Sequence, residues 1–183
     1  MKRVLVPLAE GFEEIEAVTL IDVLRRGGIE VVVGGLEGDG AVVGAHGLSI
    51  TPDTALAAAE GPWDLVLLPG GMGGTQRMIA HQGLRDLLRA RVESGAPVAA
   101  ICAAPMVLDA AGVLPQGRFT MYPGLEGRLS TGGALAEDVV DAGVVLTSRG
   151  PATAMRFALH LVGRLMGGQV REQVAAGLLF VGE

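Results

Sequence analysis

Cys102 is the only cysteine of the chain, and its neighbours give it the setting of a nucleophile. The apolar run Pro97-Val98-Ala99-Ala100-Ile101 predicts a short strand, and Ala103-Ala104-Pro105-Met106-Val107-Leu108 predicts a helix that follows it at once. A thiol at that turn meets unpaired backbone N–H groups and the positive end of the helix dipole, both of which favour the thiolate. A buried structural cysteine is the competing reading, because free cysteine is among the most buried residue types.

Two further features could complete a site. Gly70-Gly71 ends a second apolar strand, and its backbone N–H groups, with that of Ala103, can form an oxyanion hole beside the thiol; a tight turn needing positive φ explains the same glycines without chemistry. Glu16 lies on a helical stripe with Thr19, Asp22 and Arg26. The default for that stripe is to face water. If Glu16 instead tips toward the thiolate, repulsion between two anions keeps it protonated, able to donate to sulfur or shuttle a proton. The histidines offer less. His81 follows a loop-like stretch and is expected to be exposed, and His160 sits within a helix in a structural role. His46 sits at a glycine-flanked turn. None has metal-ligand spacing to another ligand, so neither a zinc site nor any other cofactor is expected. There is no P-loop and no dinucleotide fingerprint.

The elements that must position these residues alternate in a βαβ manner. Residues 2–7 predict a first strand, 13–26 a helix with acidic residues at its start and arginines at its end, and 29–33 a second strand. Short strands at 41–43 and 48–50 flank His46, and a short helix is expected over 53–60. Residues 63–69 form a central strand, followed by a glycine-rich loop, a helix over 84–93, the 97–101 strand and the cysteine helix. Residues 118–121 are a further strand candidate, 139–147 a hairpin, and 151–166 and 169–179 the final helices. One α/β domain over residues 1–183, with helices on both faces of a mostly parallel sheet, is the expected architecture. Ligands of such sheets bind beyond the carboxyl ends of the strands, where Glu16, Gly70-Gly71 and Cys102 are all delivered if their strands are neighbours.

Composition narrows the function classes. The chain has 183 residues, 50% hydrophobic but only 3% aromatic, so its core must be aliphatic. No apolar run approaches the ~18 residues of a membrane span. A net charge of −6 with no basic stripe and few aromatic platforms argues against nucleic-acid recognition. A lone cysteine forms no internal disulfide, which fits a cytoplasmic location.

The segments Glu13-Glu14-Ile15-Glu16, Asp22-Val23-Leu24-Arg25-Arg26-Gly27-Gly28-Ile29, Leu68-Pro69-Gly70-Gly71, Ala99-Ala100-Ile101-Cys102-Ala103-Ala104-Pro105 and Leu146-Thr147-Ser148-Arg149-Gly150-Pro151 carry a resemblance. In this order and spacing, over nearly the whole chain, they resemble the small single-domain branch of the ThiJ/PfpI superfamily. The resemblance implies a flavodoxin-like three-layer sandwich related to class I glutamine amidotransferases, and a homodimer. It implies Cys102 as an elbow nucleophile, Glu16 as its protonated partner, and Gly71 and Ala103 backbone groups lining an anion pocket. Two positions depart from the common pattern. Tyr122 stands where many members have histidine; it can donate a hydrogen bond but is a poor base at neutral pH. His46 falls where an arginine often lies near the pocket mouth, to bind an anionic substrate or, as favoured here, to cap the turn.

Activities implied by the resemblance are cofactor-free conversion of glyoxals to hydroxy acids, removal of early glycation adducts from proteins or nucleotides, redox sensing through cysteine oxidation, and chaperone action. A glyoxalase or deglycase acting on methylglyoxal-like carbonyls is the leading expectation, and an oxidative-stress sensor or chaperone is the alternative. Peptidase activity is weaker, because relatives of that kind carry histidine where this chain has Ala103.

Overall fold

The computed structural model describes residues 1–181. Strand β1 (Arg3–Leu8) leads into α1 (Glu14–Arg26) and β2 (Glu30–Gly35), the expected βαβ unit. Next come β3 (Val42–Val43), β4 (Ser49–Ile50), β5 (Thr54–Ala55), β6 (Leu65–Leu68), α2 (Met72–Ala80), α3 (Gln82–Glu93), β7 (Val98–Ile101) and α4 (Pro105–Ala110). The chain closes with β8 (Val139–Asp141), β9 (Val145–Ser148), α5 (Ala154–Met166) and α6 (Gly168–Gly177).

Seven strands form one sheet in the order β5-β2-β1-β6-β7-β9-β8, parallel except for β8, which pairs antiparallel with β9. β3 and β4 form a separate antiparallel hairpin. Period-two alternation sorts the strand side chains between the two faces. Val4, Val6, Leu65, Leu67, Ala99 and Ile101 pack toward α1 and α5, while Leu5, Val66, Leu68, Val98 and Ala100 pack toward α3 and α4. The sheet is therefore buried on both faces, as a parallel sheet requires. The chain winds outward from β1 through β2 to β5, then returns to β6 on the other side of β1. β1, β6 and β7 are consecutive neighbours, so the crevice where the winding reverses lies at the strand ends that carry the candidate residues. Among the described residues no helix is long and apolar enough to cross a membrane.

Several expected elements differ. The helix expected over 53–60 is instead strand β5 and a 3₁₀ turn (Leu56–Ala58). The Asp53 carboxylate accepts the Val33 N–H at 2.8 Å, and this tie draws the segment onto the sheet edge. The glycine-rich loop after β6 is helix α2. Its glycines serve close packing: a Cβ on Gly73 would lie 3.2 Å from Gly11 Cα, and one on Gly74 3.2 Å from the Ala9 carbonyl oxygen. The 118–121 segment makes only an isolated bridge, Phe119 to Ala134. Pro151–Thr153 is a 3₁₀ turn that precedes the expected helix.

Candidate active site

Cys102 follows β7 directly and holds φ at +65°, one of only two non-glycine residues with positive φ among the described residues. That conformation costs an L-residue on the order of 1–3 kcal/mol and persists only when the surroundings enforce it. Here both backbone groups of the residue are held: its N–H donates to the Ser148 carbonyl and its carbonyl accepts the Tyr122 N–H, each at 2.9 Å. The sharp turn lifts the side chain off the strand end, as at a nucleophile elbow. The sulfur is not freely accessible, since Cys102 is only 8% exposed.

Glu16 is 0% exposed, so the water-facing stripe expected for it is overturned. Asp22 and Arg26 of that stripe do face solvent, while the first turn of α1 rolls inward and leaves Ile15 and Val18 exposed. Glu13 caps the helix by accepting the Glu16 N–H at 2.8 Å, and its own N–H donates to the Gly70 carbonyl at 3.0 Å. These contacts dock the helix start on the end of β6. Glu16 Oε2 then accepts the Gly70 N–H at 2.8 Å. Its Oε1 is buried and accepts no hydrogen bond among the described residues. A buried carboxylate oxygen without a donor is costly, and protonation relieves the cost. Burial accordingly lifts the Glu16 pKa from 4.5 to about 7.

The thiolate expected from the helix dipole meets opposition. Burial pushes the Cys102 thiol up, and the neighbouring Glu16 carboxyl adds to the rise, while the backbone N–H groups of Ala103 and Gly71 pull it down. The helix beyond it has only six residues, and its dipole effect is correspondingly small. Cys102 and Glu16 therefore form one coupled acid pair, in which burial favours the protonated form of both groups.

The structure brings Cys102, Glu16, Gly70, Gly71 and Ala103 to one point. A Cβ on Gly70 would lie 2.5 Å from Glu16 Oε2 and 2.8 Å from Cys102 Cβ, so glycine is needed for the two side chains to approach. Gly71 takes φ +90° and caps α2. Tyr122 is tied to the site through its backbone, with its ring half exposed against Gly150. His46 turns toward Glu14: its N–H donates to Glu14 Oε1 at 2.5 Å and its Nδ1 lies 2.8 Å from Glu14 Oε2. Although burial opposes it, these contacts hold the Glu14 carboxyl below its usual range, and the Glu14 partner raises the exposed imidazole. His81, expected to be exposed, is half-buried and caps α3 by accepting the Leu84 N–H at 3.0 Å. His160 pairs with Asp141. All three histidines are thus engaged away from the thiol. Ser148 anchors the elbow through its backbone carbonyl, a role that leaves no side-chain signal in the sequence.

Known proteins share this fold. Residues 2–164 match the DJ-1/PfpI family. Protein dj-1beta of Drosophila melanogaster is 44% identical over 181 residues, covering 97% of each chain. Its crystal structure superposes with a TM-score of 0.95 over 99% of each chain. The glutathione-independent glyoxalase DJR-1.2 of Caenorhabditis elegans is 37% identical over 161 residues, covering 86% of this chain and 85% of its own.

Proposed function

The chain belongs to the DJ-1/PfpI family, and on that premise we propose that it is a cofactor-independent enzyme acting on methylglyoxal-like carbonyls or early glycation adducts through Cys102. The observation that carries the reading is the strained elbow at Cys102, with the Gly71 and Ala103 backbone N–H groups beside its sulfur and a buried Glu16 whose pKa burial raises to about 7. Similarity to a glutathione-independent glyoxalase supports the substrate class.

The reactive state has its negative charge on sulfur and its proton on Glu16. The thiolate attacks the aldehyde carbon of methylglyoxal, forming a C–S bond, and the carbonyl oxygen takes a proton to give a hemithioacetal. The Gly71 and Ala103 N–H groups stabilise the developing oxyanion. Glu16, ionised after giving up its proton, removes the hydrogen from the former aldehyde carbon and returns one to the adjacent carbon, while the hemithioacetal hydroxyl proton passes to the neighbouring ketone oxygen. The product is an S-lactoyl thioester, an internal redox change that needs no external oxidant. Water then cleaves the C–S bond, releasing lactate and restoring the thiol. Absence of an imidazole at Tyr122 is no obstacle, because Glu16 does the proton transfer.

A second reading rests on the same donors. Backbone N–H groups that hold an oxyanion also hold the oxygens of an oxidised sulfur, so a peroxide sensor built on Cys102 is the alternative. Engagement of every histidine elsewhere weighs against a peptidase dyad. A homodimer is supported by exposed Ile15 and Val18 on α1 beside exposed Val43 and Leu48 on the β3–β4 hairpin. A cytoplasmic location fits the single free thiol.

The test is lactate formation from methylglyoxal by wild type, Cys102→Ala and Glu16→Gln, with peptide mapping after mild peroxide. Loss of turnover in both variants supports the enzyme. Wild-type turnover in Cys102→Ala refutes it. Negligible turnover in wild type with selective dioxygenation of Cys102 favours the sensor.

A further inference from the structure

The strained turn at Cys102 is held from two sides. On one side stands β9, whose Ser148 carbonyl accepts the Cys102 N–H; on the other runs the 118–122 segment, whose Tyr122 N–H donates to the Cys102 carbonyl. This second arm is not a strand. It makes an isolated bridge from Phe119 to Ala134, and the Thr120 hydroxyl donates to the Leu135 carbonyl at 2.9 Å. Both partners lie in the largely exposed 130–138 loop. The tie to the sheet comes from Thr147, whose Oγ1 accepts the Thr120 N–H in a buried bond of 2.9 Å. Apart from the bond to Cys102 itself, it is the one hydrogen bond among the described residues that fixes residues 118–122 to the sheet.

Three observations separate this hydroxyl from that of an ordinary strand threonine. First, Thr147 is 1% exposed and its side chain enters an apolar layer. It pairs in register with Ala100, which belongs to one buried apolar cluster with Val145, Phe119 and Met121. Valine has nearly the same shape and suits that setting better, whereas a hydroxyl there is costly unless it is bonded. Second, the Thr120 N–H has no other acceptor among the described residues, so removing the oxygen leaves a buried donor unpaired. Third, Thr147 adjoins Ser148, and Thr120 is two residues from Tyr122. The oxygen therefore connects the two arms close to the points where each reaches Cys102.

We propose that Thr147 is a positioning residue for Cys102: its hydroxyl oxygen buckles the 118–122 segment to β9, so that the two grips on the elbow act as one. The proposal rests on Cys102 being the reacting group. Without the buckle the Tyr122 N–H no longer holds the Cys102 carbonyl, and the turn relaxes from its positive φ. The sulfur then leaves its place beside Glu16 and the Gly71 and Ala103 N–H groups.

Thr147→Val, which keeps the shape and removes the oxygen, tests this against Thr147→Ser, which keeps the oxygen. Amide hydrogen exchange on the full chain should show the Tyr122 N–H at least about tenfold faster in Thr147→Val, measured relative to amides of β1 and α5 that report global opening. Thr147→Ser should restore its protection. With methylglyoxal, kcat should fall at least about tenfold in Thr147→Val while KM stays within about twofold, and Thr147→Ser should recover most of the loss. Should Thr147→Val not fold, Thr147→Ala against Thr147→Ser makes the same comparison, since both lack the methyl group and only one keeps the oxygen. Wild-type exchange at Tyr122 without the oxygen, or lost protection with kcat unchanged, would overturn the assignment. A wild type that forms no lactate would instead refute the carbonyl-enzyme reading, and exchange at Tyr122 then decides the buckle by itself.

Discussion

The Gly70 N–H donates to Glu16 Oε2 across 2.8 Å, through space that any side chain on Gly70 would occupy. One glycine thereby brings the acid of α1 to the thiol at the end of β7. Gly70→Ala should destabilise the protein by about 1–3 kcal/mol in urea denaturation, from overpacking, and should depress turnover of methylglyoxal in the protein that folds. Unchanged stability and turnover would show that the acid and thiol do not depend on this approach.

Removing the chemistry should leave the fold. Cys102→Ala should lower lactate formation by on the order of 10³-fold or more, and Glu16→Gln by about 10²–10⁴-fold, with circular dichroism unaltered. Near-normal turnover in Glu16→Gln would remove it from the proton transfer.

Stability should carry the mark of Glu16. Its pKa is 4.5 when free and about 7 in the fold, because burial penalises the charge. Between those values the native protein keeps a proton that the unfolded chain has released, so this group's contribution falls as pH rises through the window. Glu16→Gln removes the titration. Its stability relative to wild type should climb across that range and level off above it, a gain on the order of 3 kcal/mol. Urea midpoints at several pH values measure the difference, and a constant offset would contradict the assignment.

The elbow conformation predicts an inverted ranking of small residues. Glycine costs nothing sterically at φ +65°, whereas alanine does. Cys102→Gly should therefore be more stable than Cys102→Ala by about 1 kcal/mol, although glycine is ordinarily the weaker choice. Thermal melting of the two variants decides it.

Tyr122 is bound to the site by its N–H, not by its phenol. Tyr122→Phe should keep turnover within about twofold. A loss of ten-fold or more in the same assay would assign the hydroxyl a part in the reaction.

Much of this was legible before the fold was known. Apolar runs ending in Pro69-Gly70-Gly71 and in Cys102 announced the strands, and dipole-matched charges announced α1. Two kinds of information were hidden. Glycines at 73 and 74 look like a loop because flexibility and close packing call for the same residue; only the nearness of Gly11 and Ala9 tells them apart. Burial of Glu16 was hidden for the opposite reason. Periodicity places a side chain on a stripe, but which part of the stripe is covered depends on where β6 ends relative to α1, and that is set by sheet order. Likewise, Glu14 and His46 meet only because the β3–β4 hairpin folds back onto the helix start.

The two backbone ties of Cys102 reach forward along the chain, to Tyr122 and Ser148. A ribosome making this protein thus exposes the cysteine well before it has made the residues that bend it. Until then the thiol belongs to a relaxed peptide, with ordinary chemistry. The strained turn at Cys102 is therefore completed only after β9 has joined the sheet beside β7, a late event in the synthesis of the chain.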